Sequence, residues 1–233
     1  MKAVLIAGGK GTRLYPYTAT FPKPLVPIGN MPIIEILIRQ LKTHGFRDIT
    51  ICVGHLSYLI KAYFGSGKNF GVKIKYSEEK KILGTAAPLS LLKELPKTFL
   101  VANGDLLTDA NFKKMYQYHK KKKAALTVGV YKRYEKIELG VLDTINGLIT
   151  AYREKPVFDF TVSTGVYIFD KSILEYIPKN KYFDFPSLVN SLLKQGKKVI
   201  PFEITGYWLD IGMPEDFQKA IDKFTSKTKT LLK

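Results

Sequence analysis

The 233-residue chain has one cysteine, one tryptophan and few acids for its bases. A lone Cys52 excludes an internal disulfide, so a reducing cytoplasm is the expected compartment. Cys52 sits in the strand-like run Ile49-Thr50-Ile51-Cys52-Val53 and reads as core rather than as a nucleophile. No segment approaches the ~18 consecutive apolar residues of a membrane span, so no membrane partner is expected. The first apolar run is five residues long, too short for the core of a secretory signal. Acidic residues number 20 against 37 basic ones, a net charge of +17. Apart from Lys120-Lys121-Lys122-Lys123 and Lys227-Thr228-Lys229, the basic residues are dispersed, without the aromatic interleaving of RNA binders. A solvated basic surface is therefore expected, not a nucleic-acid interface. Such a field also speeds capture of small anions.

Apolar periodicity alternates between strand and helix. Strands are expected at Ala3–Ala7, Ile49–Val53, Val72–Tyr76, Phe99–Ala102 and Ala125–Val130. Helices are expected at Met31–Leu41, His55–Phe64, Ala86–Leu95 and Asp109–Lys121. This βαβα rhythm predicts a doubly wound, mostly parallel sheet. After Tyr131 the rhythm breaks. Val141-Leu142, the turn Asn146-Gly147 and Leu148–Tyr152 predict a hairpin. Val162–Phe169 and Lys198–Phe202 read as strands, Asp184–Lys194 and Pro214–Phe224 as helices. The second half thus reads as a small mixed lobe beside the sheet. The expected layout is one domain over 1–225 in two parts, 1–130 and 131–225. A basic, frayed tail over 226–233 follows.

The most informative stretch comes first. A buried strand, Ala3-Val4-Leu5-Ile6-Ala7, feeds Gly8-Gly9-Lys10-Gly11-Thr12-Arg13-Leu14, and Pro22-Lys23-Pro24-Leu25 follows. Three glycines clear side chains from a loop whose N–H groups can face an anion. Arg13 and Lys23 add fixed positive charge. It is neither a dinucleotide fingerprint, because Leu14 replaces the third glycine, nor a Walker A loop, because no Lys-Ser or Lys-Thr follows the glycines. A polyphosphate cradle remains.

Further motifs follow in order. Asn103-Gly104-Asp105 ends an apolar strand, where α/β sheets bind ligands. Tyr207-Trp208-Leu209-Asp210-Ile211-Gly212 sets a second carboxylate among apolar residues, costly to bury unless paired or metal-bound. Two aspartates and a polyphosphate suit Mg²⁺, which takes few carboxylates and keeps phosphate oxygens. Glu154-Lys155-Pro156 offers an acid for sugar hydroxyls and another cation, or a surface ion pair. Leu83-Gly84-Thr85-Ala86 starts a predicted helix where a base or ribose could approach.

The ordered set resembles the sugar-1-phosphate nucleotidylyltransferases from residue 1 to about residue 225. The resemblance implies a GT-A-like, Rossmann-type α/β fold, with a nucleotide-binding core over 1–130 and a sugar-phosphate-binding part over 131–225. It implies that Ala7, Gly8, Gly9, Gly11, Thr12, Arg13, Glu79, Gly84 and Thr85 bind the nucleotide. Lys23 would contact the reacting phosphates, Asp105 and Asp210 would hold Mg²⁺, and Gly140, Glu154, Lys155 and Ser163 would bind the sugar phosphate. Arg13, Lys23, Asp105 and Lys155 are the expected catalytic set. One departure concerns the sugar: Ser163-Thr164-Gly165 stands where many relatives have Asn-x-Gly. Glu79 stands where thymidylyl and uridylyl relatives use Gln. A carboxylate accepts only, which suits guanine or cytosine and not the carbonyls of uracil or thymine. The Trp208–Pro214 segment also looks like mannose-1-phosphate guanylyltransferases. The expected substrates are GTP with mannose or heptose 1-phosphate; the other bases, a glycosyltransferase and a non-catalytic binder are the alternatives. A homodimer stays open.

Overall fold

The protein is described by a computed structural model covering residues 1–16, 18–79 and 81–231, with side chains of the last helix through Phe224. Its strands are β1 (Lys2–Ala7), β2 (Pro27–Ile28), β3 (Met31–Pro32), β4 (Asp48–Val53), β5 (Lys73–Glu78), β6 (Thr98–Asn103), β7 (Leu106–Thr108), β8 (Leu126–Lys136), β9 (Val141–Ile145), β10 (Leu148–Arg153), β11 (Val157–Asp170), β12 (Val199–Glu203) and β13 (Trp208–Asp210). The α-helices are α1 (Ile33–Thr43), α2 (Ser57–Phe64), α3 (Phe112–Lys122), α4 (Phe185–Lys194) and α5 (Pro214–Leu231). Seven strands form one sheet in the order β12-β8-β11-β6-β1-β4-β5. Only β11 runs against its neighbours. The predicted mostly parallel α/β sheet is what forms.

β1 is central and buried on both faces, which is why its sequence is a continuous apolar run rather than an alternation. One face carries α1 and α3, packing Leu37, Ile38, Phe112 and Met115 onto Leu5, Ile51 and Leu100. The other carries α4 with the 86–95 segment, burying Phe99, Phe169, Leu188 and Leu89. Asp184 and Asn111 cap α4 and α3 by accepting backbone N–H groups of Ser187 and Lys114. A third cluster lies under the glycine loop, where Leu14, Val26 and Ile28 meet Ile33, Ile36, Ala220 and Phe224.

The chain order places the ligand edge. From β1 the chain steps outward through β4 and β5, then returns to the other side of β1 as β6. Strand order therefore reverses between β1 and β6, and the loops leaving their carboxyl ends face one crevice.

Three expectations are corrected. The Ala86–Leu95 helix is a five-residue 3₁₀ turn, Ala87–Leu91. The N–H groups of Ala86 and Ala87 both donate to the Phe183 carbonyl at 3.0 Å, so the segment is tied to the distant loop that leads into α4 instead of to its own next turn. Gly84-Thr85 is consequently no helix start. Met31-Pro32 pairs with Pro27-Ile28 before α1 begins. β11 and β12, read as part of the lobe, join the main sheet, and β8 and β11 are longer than expected. What stands apart is an arm made of their outer halves and the β9–β10 hairpin, whose Asn146-Gly147 turn has both φ values positive (49° and 80°). The predicted tail over 226–233 continues α5 as far as Leu231; residues 232 and 233 lie outside the described residues. No helix among the described residues is long and apolar enough to cross a membrane.

Candidate active site

The glycine loop leaves β1 and immediately meets β4 and β5. A side chain at Gly8 would collide with Glu79 Oε1 at 2.0 Å and approach the Gly54 backbone. Gly9 faces open space. Gly11 has φ +65° and packs against the Lys23 stem, which a Cβ would meet at 2.9 Å. Thr18 Oγ1 donates to the Gly11 carbonyl at 2.8 Å. Thr12–Leu14 then form a 3₁₀ turn that buries Leu14 and leaves Arg13 outside. Lys23 sits in a second 3₁₀ turn, buried among Pro22, Pro24 and Leu25.

The second acid is brought in by pairing. β7 and β13 run antiparallel with Asp210 opposite Leu106, so Asp210 is carried to the strand that directly follows Asp105. The Ile211 N–H donates to the Asp105 carbonyl at 3.2 Å. One cavity is lined by Ala7, Gly9, Gly11, Thr12, Arg13, Lys23, Thr85, Asn103, Asp105 and Asp210. Residues drawn from five separate stretches of sequence thus surround a single space.

Charge in the cavity is partly compensated. Lys23 Nζ donates to Asp105 Oδ2 in a close ion pair. Asp105 Oδ1 is buried and has no hydrogen-bond partner, and neither has Asn103 Oδ1. Burial, then the nearby Asp105 carboxylate, push the Asp210 carboxyl up from its ordinary range, while Lys23 and Arg13 oppose them. Among the described residues no group of three or more His, Cys, Asp or Glu could hold a metal by itself. Two carboxylates can bind a hard cation only with oxygens from elsewhere, such as phosphate. Cys52 is buried, and its thiol is pushed up to about 12 by burial, so it supplies no thiolate.

A second cavity adjoins the first, sharing Asn103 and Asp210. It is lined by Ser163, Thr164, Gly165, Tyr167, Phe185, Val189, Asn190 and Trp208. A bulge in β11 between Ser163 and Tyr167 opens it. Gly165 takes φ +74° under Asn103, and Trp208 Nε1–H donates to the Thr164 carbonyl at 2.9 Å. A third recess beside the loop is lined by Gly8, Lys10, Gly54, His55, Glu79, Lys81 and Ile82. Here Glu79 Oε2 accepts the Leu83 N–H at 3.1 Å, and burial pushes this carboxyl up.

Of the remaining candidates only Thr85 lines the main cavity. Gly84 (φ +88°) packs on the Phe183 carbonyl, which a Cβ would meet at 2.7 Å. Thr85 Oγ1 accepts the Phe185 N–H at 3.1 Å. Gly140, Glu154 and Lys155 are exposed on the arm and line none of these cavities. Tyr152 covers Gly140 and donates to Glu154 Oε2 at 2.7 Å. Asn103, Trp208 and Asn190 were not among the predicted site residues. Asn103 and Trp208 had a signal, since each stands beside a motif aspartate. Asn190 lies inside an ordinary helical pattern and had none.

The chain is similar to known proteins along nearly its whole length. Residues 2–227 match the family model described as Nucleotidyl transferase. A UTP–glucose-1-phosphate uridylyltransferase from Synechocystis sp. is 37% identical over 246 residues, covering 95% of this chain and 62% of the relative. A mannose-1-phosphate guanyltransferase from Candida albicans is 36% identical over 233 residues, covering 93% and 62%. The chain therefore spans about 62% of the length of these curated relatives. Among solved structures, a putative glucose-1-phosphate thymidylyltransferase from Bacillus anthracis, in complex with a sucrose, superposes with TM-score 0.77 at 28% identity, covering 96% of this chain and 94% of that one. HddC from Yersinia pseudotuberculosis, complexed with GMP-PN, gives TM-score 0.74 at 26% identity, covering 96% and 99%. With a glycine loop, two cations and two aspartates at the switch point of such a sheet, and a family match along nearly its whole length, the chain belongs to the nucleotidyl transferase family.

Proposed function

We propose that the chain is a sugar-1-phosphate nucleotidylyltransferase. A phosphate oxygen of the sugar 1-phosphate attacks the α-phosphorus of a nucleoside triphosphate in line. The bond from the α-phosphorus to the bridging oxygen breaks, pyrophosphate leaves, and a nucleotide-sugar forms. The observation that carries this reading is the convergence of the glycine loop, Arg13, Lys23, Asp105 and Asp210 on one cavity. No protein nucleophile is required, because the incoming phosphate is already an anion. The task is to hold two repelling anions together. Gly9 and Gly11 let the loop backbone approach the triphosphate. Arg13 and Lys23 neutralise charge at the reacting phosphates. The adjoining cavity beneath Asn103, Ser163 and Trp208 takes the sugar, with Lys155, Glu154 and Gly140 brought from the arm.

Asp105 and Asp210 would hold Mg²⁺. The unpartnered Asp105 Oδ1 and the two-carboxylate donor set fit an ion that completes its shell with phosphate oxygens and water. When bound, it supplies further neutralisation of the transferring phosphate.

For the base we propose guanine. Glu79 lies beside Gly8 and Gly54 with one oxygen held by Leu83 and the other turned to the glycine backbone. Its recess offers a carboxylate acceptor for guanine N1–H and N2–H₂. The guanyltransferase relative and the GMP-PN complex of a similar structure support this; mannose or heptose 1-phosphate is the proposed acceptor. The Synechocystis relative favours uridylyl transfer as the rival. The same reading makes the two substrates the partners of a cytoplasmic enzyme. Pyrophosphate release over a grid of nucleoside triphosphates and sugar 1-phosphates, with Mg²⁺, tests it. GTP is expected to give the highest kcat/KM, and pyrophosphate from no pair overturns the reading.

A further inference from the structure

We infer that Lys23 keeps the cation site closed until a nucleotide arrives: its ammonium and a divalent cation compete for Asp105, and a bound triphosphate draws the ammonium away. This rests on the nucleotidyl-transfer reading above. One of the two Asp105 oxygens is occupied by the protein's own cation. Oδ2 is held by Lys23 Nζ, and Oδ1 is buried. The pair is itself largely covered, with side-chain exposures of 11% for Lys23 and 22% for Asp105. Among the described residues Asp210 is in no ion pair. A cation entering alone would find one carboxylate outside any ion pair and an ammonium already paired with the other.

Charge balance points the same way. Asp105 and Asp210 are already matched by Arg13 and Lys23 around this cavity. A bare divalent cation adds uncompensated positive charge in a partly desolvated space. A triphosphate with its cation adds net negative charge, which the two basic side chains then meet.

The structure also supplies the moving part. The base of the Lys23 side chain is pinned under Gly11 and between two prolines. Only the far end of the chain is free to swing. Its stem touches the glycine loop itself, so the ammonium can leave Asp105 for a phosphate on that loop without any backbone change. Lys23 is thus a positioning residue for cation entry as well as a phosphate contact.

The test measures Mn²⁺ binding to the full chain by the electron paramagnetic resonance of unbound Mn²⁺, with and without GTP. Lys23→Met, which keeps the stem and removes the charge, is expected to bind Mn²⁺ about tenfold tighter than wild type without nucleotide, because it uncovers a carboxylate. With GTP present the order should reverse, the variant binding the Mn²⁺–nucleotide pair about tenfold more weakly. Asp105→Asn should lose the Lys23→Met gain in the double variant. Unchanged or weaker Mn²⁺ binding by Lys23→Met without nucleotide overturns the inference, as does a gain that survives Asp105→Asn. If Lys23→Met does not fold, wild type with ¹⁵N-labelled lysines gives the second measurement. The Lys23 ammonium resonance should resist millimolar Mg²⁺ and move when GTP is added; movement with Mg²⁺ alone overturns the inference. Failure of the underlying reading looks different: no form binds GTP and none releases pyrophosphate.

Discussion

At neutral pH the Asp210 carboxylate is partly buried beside Asp105, and burial and that second carboxylate both oppose its ionisation. Its folded pKa is raised above that of the unfolded chain, so between the two values the folded state binds more protons. The contribution of this group to stability is therefore best below the ordinary carboxylate range and is lost as pH rises through the raised value. Asp210→Asn removes that penalty. Its melting temperature at pH 7 should rise, and the gain should shrink towards pH 4. Turnover should fall by about 10²–10³-fold, as for loss of an electrostatic stabiliser. A variant that melts lower than wild type at pH 7 contradicts the assignment. Glu79 is decided by chemistry of the same kind. Glu79→Gln replaces an acceptor-only group with one acceptor and one donor. The kcat/KM for GTP should fall by about 10–100-fold, the loss of charge-assisted hydrogen bonds, and that for UTP should rise. Equal loss for both nucleotides would remove Glu79 from base reading and leave it as a support for Leu83.

At the scale of elements, the cradle depends on what lies beneath it. Leu14 buries the turn that presents Arg13, against Val26, Ile28, Ile211 and the face of α5. Leu14→Ala should cost about 2–5 kcal/mol in denaturant unfolding, as for other buried leucines. It should also raise KM for the nucleotide, because the turn loses its anchor while no phosphate contact is removed. A stability loss with unchanged KM would separate the turn from the site. The elements that the sequence made legible are those whose signal is local. β1, β4 and β6 are short apolar runs closed by glycine or asparagine, and Asn146-Gly147 can hardly be anything but a hairpin turn. The 86–95 segment misleads because its apolar spacing is helical while its first N–H groups are claimed by Phe183, almost a hundred residues away. In the site the same division holds. The glycine loop, Lys23, Asp105 and Asp210 are legible as linear motifs. That Asn103 joins two cavities, or that Asn190 faces one of them, depends on the β11 bulge and the α4 docking, which no short window encodes.

At the scale of the molecule, the net charge of +17 would act on the two anionic substrates proposed above. Lys10 and Lys81 outnumber the Glu79 carboxylate in the recess beside the glycine loop, so the field there has the sign of the whole, whereas Arg13 and Lys23 in the main cavity are matched by Asp105 and Asp210. A field of this kind steers encounter and acts over about a Debye length, near 8 Å at physiological ionic strength and shorter in more salt. The chemical step is carried by contacts inside the cavity, which are screened much less. Raising KCl from about 50 to about 500 mM at fixed free Mg²⁺ should therefore lower kcat/KM for both substrates several-fold and leave kcat nearly constant. Steady-state kinetics over that range checks it. A fall in kcat with steady kcat/KM would mean that the basic surface serves the reacting phosphates directly rather than their capture.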